Sequence, residues 1–370
     1  MGEVVLENVW KRYGKTEAVK GLSLEVKEEE CIVILGPSGA GKTSTLKMIA
    51  GLEDISSGHI FVNGRLVDNL EPHERNVAMT FETYALYPHF SVYDNLAFPL
   101  RSPKHKVPEV EIKQRVDKVA DMLGIGGLLD RLPAQLSQGQ KQRVGLGRTL
   151  VRQPSVFLFD EPLAHVDAKI RNRMRMEIKR IQEELRTTSI FVTHDYLEAL
   201  SLGDRIAVLD KGVLQQIGAP QQIFENPANS FVAGIVGDPP CNLFDARVAR
   251  LGGEMAFVSR DGCCQMPMSP GLAETLRPHV GEEVKVGVRP MYVTPSFVAS
   301  EGCIAGTVYV FERFETKGVL QVQVGETRIA AMTTPDLKVQ LNQPVWLKVQ
   351  PRRVLAFDVA SGRALPPSDV

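Results

Sequence analysis

The sequence predicts an α/β domain built on a mostly parallel sheet, followed by a smaller all-β domain. An apolar segment, Cys31–Leu35, runs into a glycine-rich loop, and two more apolar segments, Val156–Phe159 and Ile190–Val192, flank a long charged helical segment. The character changes near Gly237–Pro240, after which short β-rich runs alternate with Gly, Pro and Asp turns. We therefore expect domains at 1–236 and 237–370.

The elements follow from periodicity. Segments in which apolar and polar residues alternate predict half-buried strands, and continuous apolar runs predict buried strands. Apolar residues at helical spacing, in a segment that ends at Gly124, predict a helix. The expected strands of the first domain are Val4–Val9, Leu22–Val26, Cys31–Leu35, Ile60–Val62, Val156–Phe159 and Ile190–Val192. The expected helices are Thr43–Ala50, Val110–Leu129, Leu146–Leu150 and Lys169–Leu185. The expected β runs of the second domain are Val284–Val288, Gly306–Phe311, Val319–Val324, Thr327–Ala331, Val345–Val349 and Leu355–Val359.

Composition is that of a soluble globular protein. The 43 Lys and Arg residues nearly balance the 44 Asp and Glu residues, so no nucleic-acid partner is expected. No apolar run reaches the roughly 20 residues that span a bilayer, and the start of the chain lacks a signal-peptide pattern. Five cysteines without metal-ligand spacing indicate reduced thiols. We expect a cytosolic protein that reaches a membrane only peripherally.

The glycine-rich loop has the pattern G-x-x-x-x-G-K-[ST] and is followed by a helix. Such a loop binds a nucleoside triphosphate: its backbone N–H groups surround the phosphates, its lysine adds a positive charge, and its hydroxyl faces Mg²⁺. The alternative is a glycine turn beside a surface lysine. The predicted phosphate-binding residues are Gly36, Pro37, Ser38, Gly39, Ala40, Gly41, Lys42, Thr43 and Ser44.

Further chemistry-bearing residues follow two apolar strands. Asp160 and Glu161 come directly after one, and His194 comes after the other. Because ligands bind at the carboxyl edge of open α/β sheets, this placement favours a site, although a surface Asp-Glu pair and a buried core histidine are the alternatives.

These motifs together resemble the ATP-binding subunit of ATP-binding-cassette (ABC) transporters. The segment Ser137-Gln138-Gly139-Gln140 resembles the family's signature motif, and Phe81–His89 and Leu163–Asp167 lie at the family's other motifs. The resemblance implies a P-loop NTPase cassette with a helical subdomain at about 84–152, followed by an OB-like (MOP-type) barrel.

The resemblance also implies a role for each site residue. Thr43 and Asp160 would hold Mg²⁺ beside ATP, Glu161 would be the general base, and His194 would orient the catalytic water. Tyr13 would stack on adenine, or else be an ordinary turn residue. Ser137, Gln138, Gly139 and Gln140 would complete the ATP site of an opposing subunit in a head-to-tail dimer, and Asp167 would link the two sites across that interface.

Other segments resemble the ATPases of maltose-type bacterial importers. These are Arg75–Met79, Tyr84–Leu96, Val288–Pro290 and Phe357–Arg363. The resemblance implies import of a carbohydrate, a polyol such as glycerol, or a glycerol phosphate. It also implies two membrane permease subunits, a periplasmic or lipid-anchored solute-binding protein, a regulatory partner for the second domain, and a place at the cytoplasmic face of the bacterial inner membrane. The aromatic run Tyr84–Phe90 would receive a permease helix, or else be ordinary core.

Three positions depart from the family pattern. Glu82 stands where the family has glutamine, beside the expected Mg²⁺ and γ-phosphate; Gln138 replaces a glycine; and Ala164–Val166 replaces the usual Ser-Asn-Leu. The chain would thus form a homodimer or a heterodimer, and the unusual Glu82 favours pairing with a second, standard ATPase. A non-transport cassette in translation or DNA repair, and a regulatory switch protein, are the alternative functions.

Overall fold

The computed structural model describes residues 2–80, 86–101, 107–152, 154–163, 168–300 and 302–366. The chain divides into two compact units, Met1–Pro220 and Gln221–Val370.

The first unit combines α-helices with β-strands, as predicted for an α/β domain, but its described strands form two sheets where one was expected. Its strands are β1 Val4–Tyr13, β2 Thr16–Val26, β3 Cys31–Leu35, β4 Ser57–Val62, β5 Arg65–Leu66, β6 Val77–Thr80, β7 Val156–Asp160, β8 Thr188–Thr193, β9 Arg205–Asp210 and β10 Val213–Gly218. Its helices are α1 Lys42–Ala50, α2 Val92–Ala97, α3 Glu109–Met122, α4 Gln138–Leu150, α5 Ala168–Leu185 and α6 Tyr196–Leu202.

The central sheet positions the functional residues. Within the described residues it has the order β10-β9-β3-β8-β7-β6, and all its pairs are parallel except β10 with β9. Strands β3, β7 and β8 are buried along their whole length, which explains their continuous apolar sequences. Their carboxyl ends lie at one edge, so the residues that follow them meet there.

The second sheet of this unit is antiparallel, with the order β2-β1-β4-β5. One apolar core joins both sheets to α1; it includes Leu6, Ile34, Leu46, Met48 and Leu158. The carboxyl end of α1 is held by the buried Arg75, whose guanidinium donates to the carbonyl oxygens of Met48 at 2.8 Å and Ile49 at 3.3 Å. Arg75 thus supplies hydrogen bonds to carbonyl groups that have no partner within the helix.

The second unit is mainly β, which confirms the predicted change of architecture. Its strands are β11 Asn242–Leu251, β12 Glu254–Ser259, β13 Gln265–Pro267, β14 Glu283–Val288, β15 Val293–Ser296, β16 Ile304–Arg313, β17 Gly318–Val324, β18 Thr327–Thr333, β19 Pro344–Val349 and β20 Val354–Asp358. They pair as two antiparallel sheets, β13-β12-β11-β14-β20 and β15-β19-β16-β17-β18. The short helices are α7 Pro220–Glu225, α8 Ser230–Ile235 and α9 Pro270–Thr275.

Arg289 attaches the connecting segment to this second unit. It is buried, donates from Nε to Phe224 O at 3.0 Å and from Nη1 to Val236 O, and stacks over the Phe224 ring at 3.8 Å. The segment that carries α8 therefore packs as part of the β unit, although the composition of the sequence changes only after it.

Candidate active site

The predicted phosphate loop lies between β3 and α1. Gly39 and Gly41 have φ values of 79° and 98°, in the left-handed region that glycine adopts without strain. Gly41 is the N-cap of α1, so the free N–H groups of the first helical turn point toward the loop that precedes the helix. The order strand, loop and helix is the one predicted, and it provides an anion site.

Lys42 is nearly fully buried at the base of this loop. Its ammonium donates to Gly36 O at 2.9 Å and Pro37 O at 3.0 Å, and it lies 3.6 Å from Oε1 of Glu161. The cation is thus held within the loop and beside a carboxylate.

Thr43 and Asp160 lie together, as a divalent-cation site requires. The Thr43 hydroxyl donates to Oδ1 of Asp160 at 2.8 Å, at the buried end of β7. A hydroxyl and a carboxylate are the hard oxygen donors that Mg²⁺ prefers, so the residues present fit this ion. Among the described residues no group of three or more His, Cys, Asp and Glu side chains could hold a metal.

Glu161 and His194 meet at the ends of adjacent parallel strands. Oε2 of Glu161 lies 2.9 Å from Nδ1 of His194. Glu161 has a φ of 43°, unusual for a non-glycine residue, and its N–H donates to Val192 O at 3.0 Å. The Glu161 side chain is only 19% exposed, whereas that of His194 is 59% exposed. The backbone turn after β7 thus places the carboxylate between Lys42 and the imidazole.

The loop that carries His194 is braced by a hydroxyl and a buried carboxylate. The Thr193 hydroxyl donates to Oε2 of Glu198 at 2.6 Å and accepts from the N–H of Asp195 at 2.9 Å. Burial raises the pKa of Glu198, and Asp195 raises it further, while the bond from Thr193 and the charges of Arg171 and Arg175 lower it. Sequence reasoning did not identify Thr193 or Glu198, because a Thr and a Glu beside a helix start are ordinary there.

An open groove of about 590 Å³ lies over the phosphate loop. Its lining includes five residues that the sequence did not point to, because none belongs to a motif: Thr16, Glu17, Ala18, Lys20 and Lys211. The other lining residues are Ser38, Gly39, Ala40, Gly41, Lys42, Thr43, Ser44 and Glu161. The groove thus joins most of the loop to the carboxylate of Glu161.

Tyr13 lies at the end of β1 near this groove. Its ring is 42% exposed, its hydroxyl is 3.5 Å from Oγ of Ser44, and the Lys11 ammonium is 4.8 Å from the ring centroid. An exposed ring beside the loop is available for stacking.

The signature segment forms the start of α4. Ser137 is the N-cap, its hydroxyl accepts from the N–H of Gln140, and the Gln140 side chain accepts from the N–H of Ser137. Ser137 and Gln138 are exposed, and Gly139 and Gln140 are half-buried. Within the described part of the chain, none of these four residues lines the groove of the same molecule.

Two predicted site residues, Glu82 and Asp167, lie outside the described residues, as do Tyr84 and Ala164–Val166. Their expected roles stay predictions.

A second, aromatic-walled groove of about 300 Å³ lies on the helical part of this unit. The rings of Tyr87 and Phe98 are 4.7 Å apart, that of Phe90 is within 5.6 Å of both, and Arg148 stacks on Tyr87 at 4.8 Å. Tyr87 and Phe98 are 37% and 44% exposed, so these two are surface rings rather than core. The buried Asn95 fixes this loop, because its side chain bonds to Tyr87 N and O, to Phe90 O and to Ser91 O.

None of the helices in the described ranges is both long enough and apolar enough to cross a membrane.

Comparisons with known proteins agree with this geometry. A family model described as "ABC transporter" matches residues 19–164. The chain is 43% identical to the trehalose/maltose import ATP-binding protein MalK of Thermococcus litoralis, over 99% of this chain and all of that protein. It is 41% identical to an sn-glycerol-3-phosphate import ATP-binding protein, UgpC, of Cupriavidus pinatubonensis, and 40% identical to the sulfoquinovosyl glycerol transport ATP-binding protein SmoE of Agrobacterium fabrum, over the same shares.

A solved structure is similar to part of the chain. It is the ATP-binding cassette MJ0796, a dimer in a post-hydrolysis state bound to ADP and Pi. The TM-score is 0.54 at 28% identity, over 59% of this chain and 98% of that one. With relatives above 40% identity along nearly its whole length, the chain belongs to the ATP-binding proteins of ABC transporters and is an ATPase of that family.

Proposed function

We propose that the chain is the energy-coupling ATPase of a bacterial importer and that Glu161 is its general base. The observation that carries this proposal is the position of the Glu161 carboxylate, which lies over the nucleotide groove between Lys42 at 3.6 Å and His194 at 2.9 Å. A carboxylate so placed can accept the proton of a water that attacks the γ-phosphate, while the imidazole orients that water.

The remaining loop residues bind and position ATP. The backbone N–H groups at the start of α1 and the Lys42 ammonium bind the phosphates, and Tyr13 stacks on adenine. Thr43 and Asp160 hold Mg²⁺, with Glu82 beside it. Held there, Mg²⁺ would supply positive charge that offsets the negative charge developing on the phosphates.

The site is completed by a second subunit. Ser137 and Gly139 sit at the start of α4, where helical N–H groups and a hydroxyl suit a phosphate, yet they do not line the described groove of their own chain. The dimeric state of MJ0796 with ADP and Pi supports a head-to-tail dimer here. Asp167 links the two sites. Because Glu82 alters this chain's own site, we propose a heterodimer with a related ATPase whose site is standard.

The chain works with membrane partners. Two relatives are named as import ATP-binding proteins, one for trehalose and maltose and one for sn-glycerol 3-phosphate. These names support a carbohydrate, a polyol such as glycerol, or a glycerol phosphate as the solute. The aromatic groove at Tyr87, Phe90 and Phe98 receives a helix of a permease subunit at the cytoplasmic face of the membrane. A solute-binding protein delivers the solute, and the β unit binds a regulatory partner.

Reconstitution tests this proposal. The chain is co-expressed with the permeases and any second ATPase encoded beside it, placed in vesicles, and assayed for ATP hydrolysis with maltose, trehalose, glycerol and glycerol 3-phosphate, each with the binding protein. Stimulation of ATP hydrolysis by one of these solutes supports the proposal. A chain that hydrolyses ATP but does not associate with any permease contradicts it. Recovery of only one ATPase polypeptide from the complex would contradict the heterodimer.

A further inference from the structure

The turn between β9 and β10 contacts the back of the phosphate loop. The turn consists of Lys211 and Gly212, with φ values of 47° and 83°. The N–H of Gly212 donates to Ala40 O at 3.0 Å, and the Gly212 carbonyl accepts from the N–H of Lys20 at 2.9 Å. One residue of the turn thus connects the loop to the neighbouring β2 strand.

The backbones in this region lie too close together for side chains. A Cβ atom at Gly212 would lie 2.7 Å from Ala18 O and 3.1 Å from Ala18 C, both backbone atoms. A Cβ at Gly41 would overlap the same Ala18 oxygen, and one at Gly36 would overlap Leu209 O. Ordinary Cβ contacts are longer than 3.0 Å, and backbone cannot move aside as a flexible side chain can. The loop is therefore held between β2 and the end of β9.

We propose that Gly212 is a positioning residue of the ATP site. It holds the Ala40 carbonyl and thereby fixes the conformation of the loop whose N–H groups bind the phosphates. Gly212 does not line the groove over the loop, so its effect passes through the loop. The loop must be in its final geometry before ATP arrives in order to bind it tightly. The proposal rests on ATP binding at this loop and does not depend on the imported solute.

The chain offers a matched control in the turn between β4 and β5. Asn63 and Gly64 also have positive φ values, 54° and 70°, and this two-residue turn joins strands paired Val62 to Arg65, as Asp210 pairs with Val213. A Cβ at Gly64 would have nothing within 4 Å. Gly64→Ala therefore adds the same backbone strain without the overlap, far from the described contacts of the loop.

The test measures nucleotide affinity of the purified full chain in EDTA with ATP carrying a fluorescent group on its ribose. The Kd of Gly212→Ala is expected to rise about tenfold or more, since small displacements of binding groups are costly, while Gly64→Ala keeps the wild-type Kd. Hydrogen exchange at Ala40–Thr43 is expected to speed up in Gly212→Ala alone, a change that general destabilisation would not confine to the loop. Gly212→Asn is a second variant: asparagine tolerates positive φ, so the turn folds, but its Cβ still meets Ala18.

Folded Gly212 variants that match Gly64→Ala in both Kd and loop exchange would overturn the proposal. If instead the wild-type chain binds no ATP either in EDTA or with Mg²⁺, the proposed function fails, so the two failures are distinguishable.

Discussion

Oε2 of Glu161 lies 2.9 Å from Nδ1 of His194, although 33 positions separate the two residues in the chain. They meet because β7 and β8 are adjacent and parallel, so the residues that follow each strand share one edge of the sheet. The same carboxylate lies 3.6 Å from the Lys42 ammonium. The pair is thus preorganised beside the phosphate loop.

His194→Ala tests this relationship. Loss of the imidazole leaves the attacking water unoriented, so kcat is expected to fall by about 10²-fold to 10⁴-fold with little change in the KM for ATP. Steady-state phosphate release measures both constants. His73, an exposed residue on another part of the surface, gives the matched control His73→Ala. Equal kcat values for the two variants would contradict a role of His194 in orienting the attacking water.

Thr43→Val tests the metal site. It keeps the side-chain volume but removes the hydroxyl that contacts Asp160 at 2.8 Å. The Mg²⁺ concentration that gives half-maximal ATP hydrolysis is expected to rise about tenfold or more, and chelation with EDTA should stop hydrolysis in wild type. Thr43→Ser keeps the hydroxyl and should behave nearly as wild type. Identical Mg²⁺ titrations for the Val and Ser variants would contradict the assignment.

Glu82→Gln restores the residue expected from the family pattern. In the proposed site, the Glu82 carboxylate would lie beside Mg²⁺ and the γ-phosphate, where it would attract the ion and repel the phosphate. The substitution should therefore change the Mg²⁺ dependence of hydrolysis more than the affinity for ATP. Parallel Mg²⁺ titrations and ATP binding curves measure the two effects. Superimposable Mg²⁺ titrations of wild type and Glu82→Gln would show that Glu82 does not affect the metal site.

Glu198→Gln tests how burial of the Glu198 carboxyl affects the stability of the fold. The pKa of Glu198 is raised by burial, so the folded state favours the protonated form, and ionisation above the ordinary glutamate pKa destabilises the fold. The amide cannot ionise but still accepts the bond from Thr193. The variant is therefore expected to be more stable than wild type at pH 8, by a margin that disappears as the pH falls below the ordinary glutamate pKa. Urea unfolding at both pH values measures this margin; a constant margin would refute the explanation.

Much of the fold was predictable because its elements carry strong local patterns. Strand β3 is fully buried and reads as a continuous apolar run, and the loop after it has a motif set by phosphate chemistry. The second unit's alternating runs, such as β17 Gly318–Val324, were predicted as strands and are strands. Strand β6 Val77–Thr80 was not predicted, since its sequence Val-Ala-Met-Thr does not alternate apolar and polar residues.

The site was only partly predictable, because some of its contacts depend on tertiary packing. Gly212 looks like any turn glycine in the sequence, and so does Gly64, yet only the former lies against another backbone. The loop glycines were interpreted through the phosphates, but Gly36 and Gly41 are also required by the strands behind them. The bracing of the His194 loop by Glu198 likewise appears only when α6 is folded against β8.

The most direct test measures ATP hydrolysis by the assembled transporter carrying Glu161→Gln. If the transporter contains a different second ATPase, the corresponding glutamate of that subunit is replaced by glutamine in both the variant and the reference complex. The substitution keeps the shape of the side chain but removes the base. We expect turnover to be lost while the ATP-bound dimer still forms, as seen by size-exclusion chromatography of the ATPase subunits with ATP. Undiminished hydrolysis would contradict this expectation.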